Sequence, residues 1–284
     1  MLAPILGFWA GFLPLLRSLY RFDASEALTA LMILALLFPA LSLLATRSVP
    51  GLPHLVRWPA LEATVLVAYL AVIAVVLVWG FGSVAHIRTE LLHSVVLTRM
   101  CLASGYKIRE LAPVSSTWPE LRPALWISLV VLLMQSFLGR GLHDIRQAYL
   151  PVWTLAVAAP RSFAWLVIEV GVVEEFFFLA LLQERLAAVL RSPWGGLVVA
   201  SLLFGLVHAP GLCLRTAATQ EAFGSHPSLL MAVGYSIVMT SLAGLFVGVL
   251  WMRTKNFAVV VIVHAAGDFL PNLVPWMKAF HLAR

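Results

Sequence analysis

The chain has 284 residues, of which 62% are hydrophobic and 11% charged, with a mean hydropathy of +0.97. No water-soluble domain of this length carries so apolar a surface, so the composition specifies a polytopic membrane protein. The net charge of +6 and the pI near 9.8 do not point to nucleic acid. The 19 Lys and Arg stand singly between apolar runs, without a basic cluster or interleaved aromatics, and read as topology signals.

In chain order, the first 16 residues are apolar but hold Pro4 and Pro14 and lack a basic start and a small-residue cleavage site. They fit an interfacial or re-entrant segment better than a cleaved signal peptide. Apolar runs long enough to cross a bilayer then fall at 26–46, 60–81, 122–138, 163–182, 194–210, 227–252 and 256–273. These runs lack two-residue alternation, and lipid leaves backbone groups no external partner, so helices rather than a barrel are expected. The expected fold is an all-α, polytopic transmembrane bundle of seven spans, eight if the first 16 residues also cross, forming one domain over 1–284. The long connection at 83–121 places Ile87, Leu91, Val95 and Leu102 at helical spacing among basic residues. It reads as an amphipathic interfacial helix or as a continuation of the second span into water. With these spans, 11 of the Lys and Arg fall on the amino-terminal side and 8 on the other, so the amino terminus is expected in the cytoplasm. Cys101 and Cys213 are too few and too far apart for a disulfide framework.

Two adjacent carboxylates, Glu174 and Glu175, interrupt the fourth apolar run. A charge at bilayer depth costs several kcal/mol unless paired or hydrated, so such residues are rare and usually functional. A rise of about 1.5 Å per residue sets Glu174 roughly 13 Å deep, His264 roughly 12 Å and His208 roughly 21 Å, on three different spans. Side chains from three helices can therefore meet below the headgroups. Asp268 follows His264 by four residues and shares its helix face, either holding a common ligand or orienting the imidazole. Phe204 precedes His208 by four residues and covers it. Other intramembrane chemistries lack their residues: there is no His-Glu-x-x-His, no Gly-x-Ser-Gly turn, and Asp268 is the one aspartate at membrane depth.

Three segments in this order, Glu174-Glu175 with the following Phe-Phe-Phe-Leu179-Ala180, then Phe204-x-x-x-His208, then His264-x-x-x-Asp268, resemble the CAAX-prenyl protease and bacteriocin-processing (CPBP) family of intramembrane endopeptidases. The resemblance covers about 163–273. It implies that Glu174 activates water with help from His208, that His264 and Asp268 stabilise the oxyanion or hold the substrate carbonyl, and that Glu175 is a supporting carboxylate. One position departs. The family's arginine falls at Leu179 and its following glycine at Ala180, so Glu175 either stays protonated or draws a charge from elsewhere; Arg185 faces another direction. Glu174, His208, His264 and Asp268 also make a candidate tetrahedral zinc site with an open position. Activation by glutamate without metal is the preferred reading of the two.

The expected activity is hydrolysis of a peptide bond in a membrane-associated protein or peptide, at the bacterial inner membrane, with a sorting-tag (myxosortase-like) role as one branch. The rivals are a non-catalytic, peptide-binding membrane protein of bacteriocin-immunity type and a proton-coupled transporter. The second ranks last because no internal repeat is visible.

Overall fold

The computed structural model describes residues 11, 14, 33, 37–46, 56–80, 105–139, 141–214, 228–280 and 282, and among them there are helices and connections but no strand. Short α1 (Phe38–Ala45) and long α2 (Pro59–Gly80) come first. Next come α3 (Ile108–Leu111), α4 (Trp118–Leu138) and α5 (Gly141–Gln147). A composite helix follows: α6 (Val152–Leu166), a π-helical stretch Val167–Val172, α7 (Val173–Glu175), a second π-helical stretch Phe176–Gln183, and α8 (Glu184–Leu190). After α9 (Pro193–Leu214), helix α10 (Leu229–Tyr235) passes through π-helical Ser236–Thr240 into α11 (Ser241–Thr254). Helix α12 (Phe257–Ala279) completes the bundle.

Four of these helices are long and apolar enough to cross a membrane: Trp118–Phe137, Pro193–Cys213, Leu229–Thr254 and Phe257–Ala279; Pro59–Val75 is a shorter apolar helix. This chain is an integral membrane protein. The expected span at 163–182 is helical throughout and carries Glu169, Glu174 and Glu175. Residues 26–32 and 34–36 of the span expected at 26–46, and the interfacial residues Ile87, Leu91, Val95 and Leu102, lie outside the described residues. What is described of that connection is a turn, the single helical turn α3 and an extended strap.

The helix ends follow local rules. Asn256 caps α12 by accepting from the Ala258 amide at 3.2 Å, and the Ser228 hydroxyl caps α10 by accepting from Met231. Arg191 and Lys255 close α8 and α11 in the left-handed region, at φ 50° and 46°.

Lipid gives helices no hydrophobic reason to associate, so close van der Waals packing and interhelical hydrogen bonds hold such a bundle together. The residues at the centre suit that requirement. Val259, Val260, Ala265 and Ala266 of α12 are fully buried, and α12 packs against α4, α6, the first π stretch and α11. The composite helix lies between two apolar clusters. Leu179 and Ala180 join Phe246, Leu250, Trp251 and the α12 valines on one side. Phe177, Phe178, Leu181 and Leu182 join Ala200 and Phe204 of α9 on the other. Gly171 fixes how closely the first π stretch approaches α12: a Cβ there would stand 2.8 Å from Val261 Cγ1 and 3.0 Å from its carbonyl oxygen. Only glycine permits that contact, and it lies one turn before Glu175 on one helix and before His264 on the other.

Candidate active site

Glu175 is almost completely buried and its Oε1 accepts a hydrogen bond from His264 Nδ1, across 89 residues of sequence. On the other side of the ring, His264 Nε2 lies 3.7 Å from Asp268 Oδ2. The i,i+4 spacing on α12 therefore does what the sequence pattern allows, presenting carboxylate and imidazole on one face. Glu175, Asp268 and Glu174 all bear electrostatically on this imidazole, Glu175 most strongly. Protonated, the ring directs an N–H at a carboxylate on each side. That supplies a cation beside Glu175, where Leu179 cannot.

His208 joins the group through an aromatic ring. Its Nδ1 lies 2.6 Å from the Phe204 carbonyl oxygen, which only accepts, so Nδ1 carries the proton and a neutral ring keeps its lone pair on Nε2. The Phe204 ring stands 4.7 Å from the His208 ring and 5.9 Å from the His264 ring. Gly244 makes room for it, since a Cβ there would meet Phe204 Cδ1 at 2.9 Å. Glu174 is half-buried on α7, the three-residue α-helical link between the two π-helical stretches. π-Bulges of this kind are frequent at functional sites, because they shift which side chains face inward. The five residues singled out in the sequence thus fall into a tight trio, Glu175, His264 and Asp268, with Glu174 beside it and His208 one ring away.

Among the described residues, no three His, Cys, Asp or Glu side chains are grouped so as to hold a metal ion. Nδ1 of His208 faces a carbonyl and Nδ1 of His264 faces Glu175, which leaves Nε2 of each ring as the nitrogen turned to the rest of the site.

Arg185 points elsewhere, as its position in the sequence implies. Its Nε donates to Glu62 Oε2 at 2.9 Å, and its Nη1 donates to the carbonyls of Ala180 and Leu181 at 2.9 and 3.4 Å. Tyr106 lies under the guanidinium, 5.2 Å from its ring centre, and donates its hydroxyl to Glu62 at 2.6 Å. Burial first, and the Glu62 hydrogen bond second, raise the Tyr106 phenol above its ordinary range, so it remains a donor at neutral pH. The sequence reading passed over Gln183. It lies 2% exposed on the same wall as Glu175 and Leu179. Its spacing was the available signal: a polar residue ending an apolar run, eight residues beyond Glu175 and four beyond Leu179.

Residues 156–270 match the family described as "Type II CAAX prenyl endopeptidase Rce1-like", a family of proteases. The match takes in all five predicted site residues and agrees with the resemblance that the motifs carry. No curated protein and no solved structure matches the chain.

Proposed function

We propose that this chain, similar over 156–270 to the type II CAAX prenyl endopeptidases, is an intramembrane endopeptidase. It hydrolyses a peptide bond of a membrane-associated protein or peptide with water activated by glutamate and histidine. The supporting observation is the convergence of Glu175 and Asp268 on His264, with Glu174 and His208 alongside, inside a helical bundle otherwise filled with apolar side chains. In this reading the Glu174 carboxylate accepts a proton from water, with His208 Nε2 as the assisting base. The water oxygen attacks the scissile carbonyl carbon, and the N–H of His264 facing Asp268 stabilises the oxyanion that forms. Glu175 holds the imidazole from behind. The proton taken from water passes to the leaving nitrogen, the C–N bond breaks, and a carboxylate and an amine are released.

Leu179 and Ala180, at the positions of the family's arginine and glycine, favour one second reading: a peptide-binding protein that no longer cleaves. The experiment separates the two. Purified protein is incubated with a prenylated CAAX peptide, and separately co-expressed with membrane-anchored proteins encoded beside its gene. The protease reading requires cleavage by the wild type and its loss in Glu174→Gln and His264→Ala. Unchanged processing in Glu174→Gln, His208→Ala and His264→Ala together would refute it. Peptide retained without cleavage establishes the binder. A chelator titration on the same preparation, expected to leave cleavage intact, tests activation without metal. An inner-membrane location with a cytoplasmic amino terminus belongs to the same proposal and is read by reporter fusions at the terminus.

A further inference from the structure

Glu175 also forms part of the wall of a small pocket, shared with Phe178, Leu179, Gln183, Ser201 and Phe204. The polar groups in this wall do not complement one another. The amide Nε2 of Gln183 donates to the Gly248 carbonyl at 3.4 Å, which turns its Oε1 away as an acceptor. That oxygen is buried, and among the described residues no donor reaches it. Ser201 cannot serve, because its hydroxyl already donates to the Leu197 carbonyl at 2.7 Å. Reversing the Gln183 amide does not help, since it would set carbonyl oxygen against carbonyl oxygen at Gly248. Glu175 and Gln183 thus both line a space about the size of one water molecule, and the free polar atom of Gln183 is an acceptor, as is a carboxylate. Buried carbonyl oxygens are almost always satisfied, by ordered water where protein donors fail.

We infer that this pocket is a binding site for a single water molecule, which donates one hydrogen to Gln183 Oε1 and the other to the Glu175 carboxylate. Gln183 is thereby a positioning residue. Through that water it fixes the carboxylate that holds His264. The water site rests on the unsatisfied Gln183 oxygen and the pocket it shares with Glu175, and only its consequence for catalysis rests on the protease reading.

Infrared spectra of the purified protein in lipid nanodiscs, recorded in H2-16O and in H2-18O, test the site. A sharp O–H band of buried water that shifts with the oxygen isotope is expected in the wild type and in Ser201→Ala, and is expected to vanish in Gln183→Met. Failure of the wild type to show such a band overturns the site without recourse to any variant. So does persistence of the band in Gln183→Met. In the cleavage assay, Gln183→Met is expected to lower kcat about tenfold while KM stays within about twofold. A lower melting temperature with kcat unchanged would mean that Gln183 is only structural. If the wild type cleaves nothing, the protease reading fails, while the infrared comparison still decides the water site.

Discussion

The composite helix carries two buried polar clusters, one around Arg185 and one around Glu175, and their difference separates architecture from chemistry. At Arg185 opposite charges are matched. The guanidinium is satisfied by Glu62 and two carbonyls, Tyr106 supplies another donor to Glu62, and all the groups hold α8 against α2. At Glu175 the balance is lopsided: three carboxylates, Glu174, Glu175 and Asp268, surround one imidazole. A cluster built only to join helices has no reason to gather like charges, which repel one another and are expensive to bury. Crowded acids around a single base suit proton transfer. The first cluster is therefore expected to govern stability and the second to govern turnover.

The largest effect is expected from the second cluster. Glu174→Gln keeps the shape of the side chain and removes the base, so kcat should fall by about 10²–10⁴-fold with the melting temperature nearly unchanged. A melting temperature that collapses with activity would erase the distinction between the clusters. Next comes Arg185→Met, which strands Glu62. Breaking a buried pair in this way costs about 3–5 kcal/mol, read as a lower unfolding midpoint in detergent, while the folded fraction keeps its kcat. Combining it with Glu62→Gln should recover part of that loss, and full additivity would show that the two residues are not coupled. Gly171→Val tests the contact that sets how closely the helix carrying Glu175 approaches α12. Overpacking against Val261 should cost about 1–3 kcal/mol and, by moving Glu175 from His264, reduce cleavage as well. The smallest effect belongs to Tyr106→Phe, which removes one hydrogen bond to Glu62. A loss of about 1 kcal/mol with unchanged kinetics is expected, and a kinetic effect would tie the Arg185 cluster to the active site.

Much of this was legible in the sequence, for identifiable reasons. Apolar runs and their punctuation gave the helices at 59–80, 118–138, 193–214, 229–254 and 257–279, with ends up to six residues short where polar residues or prolines interrupt the run. Ionisable residues in those runs are conspicuous because lipid penalises them, so Glu174, Glu175, His208 and His264 stood out at once. The pairing of Glu175 with His264 was not legible, because equal depth does not say which of two adjacent glutamates turns inward. The π-helical stretches were hidden for another reason. Phe176–Gln183 has the same apolar composition an α-helix would have, and the extra residue per turn leaves no mark in composition. Nor did the sequence reveal where Arg185 points, since its partner Glu62 is 123 residues away.

The uninterrupted path from Val152 to Leu190 has a contour of roughly 60 Å at about 1.5 Å per residue, twice the hydrocarbon thickness of about 30 Å. Such a rod cannot sit wholly among acyl chains; it tilts, or its ends stand in the headgroups. Glu174 lies nearer the Leu190 end, roughly 24 Å away along that contour, than the Val152 end. Lipid chain length therefore bears on how far beneath the surface the two glutamates ride and, on the protease reading, on which portion of an embedded segment they meet.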